Sequence, residues 1–214
     1  MSTRTLAVVS AGLSVPSSTR LLADRLTSAT VDALRARGDE ATDRALRLAG
    51  EDVRVEVVEL RDLAHGITDH LLTGFASGPL ADAIGLVREA DAVVAVTPIF
   101  SASYSGLFKS FFDVLESGTL EGKPVLLGAT AGTARHSLAL EFAVRPLFSY
   151  LRADVVPTTV FAAAEDFGGR GPDGLSARVE RAGRELADAV TGRARSGPVD
   201  PFENPTPFAD LLNG

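Results

Sequence analysis

Apolar residues fall along the chain in two alternating rhythms. Short apolar runs bounded by small residues or proline alternate with longer stretches in which apolar positions recur every three or four residues. The first run, Leu6 to Val9, stops at Ser10-Ala11-Gly12 and reads as a buried strand. A loop of small and hydroxyl-bearing residues, 13–20, leads into a helix with Leu22, Leu26, Ala29, Ala33 and Leu34 on one face. Gly38-Asp39 is expected to interrupt or end that helix, with a second, polar helical piece at about 40–49. Val53-Arg54-Val55-Glu56-Val57-Val58 alternates apolar and polar residues, the pattern of a strand near a sheet edge. Residues 61–79 carry mixed loop and turn signals, and Pro79 to Ala90 reads as a helix. Asp91 to Thr97 is a nearly continuous apolar strand that Pro98 is expected to stop. A helix over about 104–116 follows, its face made by Tyr104, Leu107, Phe108, Phe111 and Leu115. Lys123 to Ala129 is a further buried strand, closed by the small-residue turn Thr130-Ala131-Gly132-Thr133. The next helix, about 137–151, contains Pro146, whose missing N–H predicts a kink or local irregularity. Val155 to Ala162 supplies a last strand and 175–194 a last, charged helix.

Five strands alternating with helices predict an α/β fold: one five-stranded parallel sheet between two helical layers. Residues 1–195 form one domain in this reading. From Ser196 the prolines at 198, 201, 205 and 207 predict an extended tail over 196–214. Right-handed crossovers restrict the topology, and ligands of such sheets lie beyond the carboxyl ends of the strands.

The 214 residues are enough for a large core without staples. The chain has no cysteine, which excludes disulfides, thiolate nucleophiles and cysteine-based metal sites. A net charge of −7, with no Lys/Arg-rich run, argues against nucleic-acid binding. No apolar stretch approaches the roughly 20 residues of a spanning helix, so a cytoplasmic protein without a membrane partner is expected.

Three loops at the carboxyl edge stand out by chemistry. The first, Ser10 to Arg20, opens a helix, and free backbone N–H groups at a helix N-terminus suit a phosphate. Ser17, Ser18 and Thr19 add hydroxyls, and Arg20 adds charge; an ordinary capped helix with Ser17 or Ser18 as its cap accounts for the same residues. The loop has neither the glycine spacing of a dinucleotide fingerprint nor a Gly-Lys-Ser/Thr triphosphate loop. The second loop, Thr97 to Gly106, carries Ile99 and Phe100 where polar residues are usual, which points to contact with a flat ring; capping of the core is the other reading of Phe100. In the third, Thr130 to His136, Gly132 permits close approach of backbone donors to a ligand. His136 is either a ligand contact or a capping residue, and His65 and His70 lie in a loop with no assigned role. Lys109 is read as a solvated side chain. No nucleophile–base order, paired-carboxylate motif or metal spacing appears, and none is assigned as catalytic. Hydride transfer between two bound cofactors needs none of these.

At these residues the chain resembles a known family, the NAD(P)H-dependent FMN reductases of two-component monooxygenase systems. Thr97-Pro98-Ile99-Phe100-Ser101-Ala102-Ser103-Tyr104-Ser105-Gly106-Leu107-Phe108-Lys109 is similar to the family's Thr-Pro-x-Tyr…Ser-Gly-x-x-Lys segment. Asp113, Leu120 to Val125 and Gly132 to His136 continue it in register. Phe142-Ala143-Val144-Arg145-Pro146 is similar to the helix that follows in sulfonate-linked members. With Ser10 to Thr19, the resemblance covers roughly 4–165 and is nearest to actinobacterial-type reductases partnered with luciferase-like monooxygenases. It implies a flavodoxin-like three-layer sandwich that uses FMN and NAD(P)H. It implies flavin contacts at Ser10, Ser17, Ser18, Thr19, Pro98, Ile99, Phe100, Gly132 and Thr133, with Ser103 and Tyr104 as weaker candidates. The first loop would hold the phosphate, the second would flank the ribityl chain and ring, and the third would meet the ring edge. It further implies a flavin-dependent monooxygenase as transient partner and a homodimer or homotetramer. The helix 104–115 offers a packing surface for such assembly, although its stripe is equally explained by the core. The chain departs from the family at Phe100, which replaces the usual tyrosine. Phe142 stands where some sulfonate-system relatives carry a tyrosine. An FMN-containing quinone or azo reductase, a non-enzymatic flavodoxin-type electron carrier and a binding module without flavin fit the residues as well.

Overall fold

A computed structural model describes residues 3–40, 53–168 and 174–192. Seven strands form one sheet: β1 (Arg4–Ser10), β2 (Val53–Glu59), β3 (Ala92–Phe100), β4 (Ser103–Tyr104), β5 (Pro124–Ala131), β6 (Asp154–Val155) and β7 (Val160–Ala163). The parallel ladder runs β2-β1-β3-β5, with Leu6 opposite both Val55 and Ala92, and Val96 opposite Gly128. β6 pairs with the start of β5 and β7 with its end, so five positions across the sheet are filled. This is the flavodoxin-like arrangement that the resemblance implies, with the chain reversing its direction of winding between β1 and β3.

Two strand expectations need correction. The run Val155 to Ala162 is not one strand, because Val156 to Thr159 breaks it and Pro157 has no N–H to give. The interrupted backbone finds partners elsewhere. Arg145 donates to the carbonyls of Val156 and Pro157 at 3.4 and 3.0 Å, and Glu185 accepts from the Thr158 N–H and hydroxyl, each at 2.7 Å. Nor does Pro98 stop β3, which continues to Phe100. Pairing with β1 ends at Val96, so on that side no ladder bond is asked of Pro98, and a residue without an N–H is tolerated.

Helices cover both faces. α1 (Ser18–Glu40) and α6 (Leu175–Thr191) pack over Leu6, Val8, Val94, Val96 and Leu126. α2 (Ala64–Thr73), α3 (Gly78–Glu89), α4 (Gly106–Asp113) and α5 (Arg145–Tyr150) pack over Ala7, Val9, Val93, Ala95 and Leu127. Alternate residues of β1 and β3 therefore serve opposite cores, which is why these strands read as continuous apolar runs. Gly38-Asp39 does not interrupt α1, whose buried face is Leu22, Leu26, Thr30, Val31 and Leu34; Ala29 and Ala33 are only half-buried. The helical piece expected at 40–49 lies outside the described residues beyond Glu40, as does the tail 196–214.

The segment 61–79 is mostly helical, with loop only at 74–77. It holds a short 3-10 turn, Leu60–Leu63, followed by α2, and so places His65 and His70 on a helix. Leu60 and Ile67 are buried there, while Gly66 sits close beneath Leu80. Ser105 caps α4 by accepting from the Phe108 N–H at 3.2 Å, so the helix begins at Gly106, and Tyr104 belongs to β4. The apolar stripe of α4 lies in the core. Phe108, Phe111, Phe112 and Phe148 are fully buried, and Phe112 approaches Phe108 and Phe148 with ring centroids at 4.7 and 4.8 Å.

α1 and α6 meet at Gly183, where an added Cβ would lie 2.7 Å from the carbonyl carbon of Ala29 and 2.8 Å from the Thr30 nitrogen. Gly183→Ala is expected to destabilise the fold by about 1–3 kcal/mol through forced separation of the two helices. Gly85→Ala, on α3 with nothing within 4 Å of the added methyl, is expected to stabilise by about 0.5–1 kcal/mol. Urea unfolding midpoints of the two variants check both.

Candidate functional site

The carboxyl ends of β1, β3 and β5 bring the three loops to one edge. Ser10 is fully buried at the end of β1, and its Oγ has no hydrogen-bond partner among the described residues. The chain then turns through Gly12, where an added Cβ would lie 2.0 Å from Ser17 Oγ. Only glycine lets the turn fold back this closely on the start of α1. Ser17 Oγ accepts from the Arg20 N–H at 3.2 Å and its carbonyl from Leu21 N–H at 3.0 Å, so Ser17 is the cap. Ser18 is exposed on the first turn, and that turn carries no acidic residue. Arg61 fastens the loop by donating to the Ser14 carbonyl at 2.9 Å.

Thr19 is buried, and its hydroxyl meets that of Thr130 at 2.8 Å, tying the first loop to the third. Arg20 does not add charge to this turn. It pairs with Asp24 at 2.7 Å and Glu59 at 2.8 Å; hydrogen bonds to these carboxylates raise its pKa further.

β3 and β4 form a hairpin whose two turn residues, Ser101 and Ala102, have φ of 48° and 68°. Both are in the left-handed region, which favours glycine or asparagine. Thr97 anchors the hairpin: its buried Oγ1 donates to the Pro98 carbonyl at 2.9 Å and accepts from Ser105 N–H at 3.1 Å. The expectation that Ile99 and Phe100 are both presented holds for one of them. Phe100 is 48% exposed, whereas Ile99 is 8% exposed and lies in the core, because successive strand residues point to opposite sides. Pro98 is buried, and Ser103 and Tyr104 are half-buried on β4. In the third loop Thr130 is buried, while Gly132, Thr133, Arg135 and His136 are exposed.

The irregularity expected from Pro146 is a π-turn, Leu140–Val144, closed by a bond from the Arg145 N–H to the Leu140 carbonyl. Pro146 then falls in the first turn of α5, where no N–H is needed. Phe142, on the widened turn, is 78% exposed, and Leu138 just before it is 64% exposed. Glu141 accepts from Arg145 at 2.6 and 3.2 Å and from Thr159 at 2.9 Å. Hydrogen bonding to Arg145 holds the Glu141 carboxyl below its ordinary pKa; partial burial opposes this, and the Thr159 hydroxyl adds to it.

Gly12, Thr97 and Thr130 are the structural members of the site that the candidate residues omit. All three lie within the quoted loops, but their partners are set by the fold. Among the described residues, no group of acidic and histidine side chains is arranged to hold a metal ion, and no helix is long and apolar enough to cross a membrane.

Residues 4–168 match the family of NADPH-dependent FMN reductases. The chain belongs to that family. The FMN reductase (NADPH) of Pseudomonas aeruginosa is 35% identical over 140 residues, 64% of this chain and 75% of that protein. The NADH-dependent FMN reductase SfnF of Pseudomonas putida is 34% identical over 160 residues, 75% of this chain and 77% of that protein. A crystal structure of an oxidoreductase from Corynebacterium diphtheriae is 44% identical, with a TM-score of 0.80 over 90% of this chain and 99% of that one. This reductase is thus an oxidoreductase that uses FMN and NAD(P)H.

The Glu141 contribution to the reductase's stability is fully present above the unfolded carboxylate pKa, and it is lost as the pH falls through the lowered folded value. The stability gap between wild type and Glu141→Gln should therefore be constant near neutrality and close below roughly pH 4. Urea titrations from neutral to acid pH read this. Ala102→Gly should relieve the left-handed turn and stabilise the reductase by about 1 kcal/mol, read as a raised unfolding midpoint.

Proposed function

We propose that the reductase holds FMN across the three loops, takes hydride from NAD(P)H, and supplies reduced FMN to a flavin-dependent monooxygenase. When bound, FMN supplies the hydride-accepting ring, and the protein orients the two cofactors. The observation that carries the reading is the first loop. Gly12 brings the backbone against the start of α1, where the Ser18 and Thr19 N–H groups precede those engaged by Ser17, with flanking hydroxyls and no carboxylate in the first turn. Such a turn fits a phosphate monoester held by dipoles and hydroxyls, since Arg20 is engaged elsewhere.

In this reading Ser17, Ser18 and the N–H groups of the first turn bind the phosphate, and Thr19 keeps its position through Thr130. Ser10 supports the turn from below. The half-exposed Phe100 ring, with Ser103 and Tyr104 behind it, flanks the flavin. Ile99 and Pro98 contribute backbone and shape, because their side chains are buried. Gly132 and Thr133 present backbone donors to the ring edge, where negative charge develops on reduction. Assembly as a homodimer or homotetramer and a cytoplasmic location are parts of the same proposal; the α4 stripe, engaged in the core, does not support assembly.

The test follows NADPH and NADH oxidation spectrophotometrically with and without added FMN. Turnover that depends on free FMN, with weak flavin retention on purification, supports the reading. Tightly retained flavin with quinone turnover, or a stable semiquinone without nucleotide oxidation, overturns it. Ser17→Ala combined with Ser18→Ala should weaken FMN binding by roughly 1–3 kcal/mol and leave riboflavin nearly unaffected. Equal loss for both ligands refutes the phosphate assignment.

A further inference from the structure

The cationic side chains near the three loops are nearly all engaged. Arg20 pairs with Asp24 and Glu59, and Lys109 with Asp113. Arg61 donates to the Ser14 carbonyl, Arg145 pairs with Glu141, and Arg178 lies 3.3 Å from Asp166. Arg135 differs. It is exposed on the 3-10 turn Ala134–His136 beyond β5, and it has no hydrogen bond or ion pair with any described residue. Arg35 and Arg181 also have no ion pair with a described residue, but they lie on α1 and α6 and not on one of the three loops. Gly132, Thr133 and Ala134 ahead of it are exposed and small, and they leave its approach open.

The proposed reaction brings two anions to this edge. The FMN phosphate is assigned to the first loop, which leaves the charges of the nicotinamide nucleotide. A terminal phosphate monoester carries nearly two negative charges and offers three free oxygens, whereas each pyrophosphate unit carries about one charge. A guanidinium fork matches the monoester best, through two parallel N–H···O bonds. Relatives of nearly equal identity include one named for NADPH and one for NADH, so likeness does not decide between the nucleotides. We infer that Arg135 binds the 2′-phosphate of NADPH and makes this reductase prefer NADPH to NADH. This rests on the proposed binding of FMN across the three loops, against which the nucleotide must lie to pass its hydride.

The experiment compares wild type, Arg135→Ala and Arg135→Lys. It measures KM and kcat with NADPH and with NADH, and calorimetric binding of 2′,5′-ADP and 5′-AMP. Wild type should bind 2′,5′-ADP more tightly than 5′-AMP. Arg135→Ala should raise the KM for NADPH and the Kd for 2′,5′-ADP by roughly tenfold or more, with Arg135→Lys in between. The KM for NADH, kcat and 5′-AMP binding should move by less than about twofold. A parallel rise for both nucleotides assigns Arg135 to the shared pyrophosphate and overturns the inference, as does no change in either. Failure of the underlying reading has a different signature, in which wild type neither binds FMN nor oxidises either nucleotide.

Discussion

Polar groups at the carboxyl ends of β1, β3 and β5 are closed in by helices on both sides of the sheet, and this confinement organises the site. A hydroxyl buried there costs free energy unless it is paired. Thr97 meets the requirement by donating to the Pro98 carbonyl and accepting from the backbone at Ser105, and so fixes the second loop. Thr19 and Thr130 meet it by pairing with each other, which joins the first loop to the third across the end of β3. Ser10 is the exception among these hydroxyls. The loops are thereby held by hydrogen bonds of which the cofactor need be no part. Such preorganisation lowers the ordering cost of binding.

The same confinement explains the helical layer beneath the second and third loops. α4 starts where Ser105 caps it, and its phenylalanines lock against Phe148 of α5. The π-turn ahead of α5 is pinned from outside by Glu141, Arg145 and Thr159, which also bridge the break between β6 and β7. One arginine thus serves both a helix irregularity and an interrupted strand, and Phe142 is carried outward on the widened turn.

Elements with an uninterrupted period were legible in the sequence. The strands at 6–9, 91–97 and 123–129 have no polar interior position to mislead, and the face of α1 repeats regularly. Pro146 marked its irregularity because a missing donor has local consequences. α2 was not legible, because Gly66 and the two histidines dilute a helix whose buried side chain is Ile67. The path of β3 through Pro98 depended on where pairing with β1 ends, which is a property of the sheet. The family's motifs marked all three loops, yet the residues that shape them were hidden by distance. Thr19 and Thr130 are separated by 111 positions, and Glu59, which takes Arg20, lies 39 positions away. The burial of Ile99 beside an exposed Phe100 follows from strand alternation and was obscured by reading both residues as loop.

The pairing of Arg20 with Asp24 and Glu59 reaches beyond local geometry. A dianion seated on the first loop would be held by amide dipoles and hydroxyls, with no counter-ion of its own in that turn. Its departure would break no ion pair and strand no buried cation. Attraction by short-range dipoles is also weakly screened by dissolved salt. Such a seat suits a ligand that arrives and leaves in every catalytic cycle, at whatever ionic strength the surroundings hold.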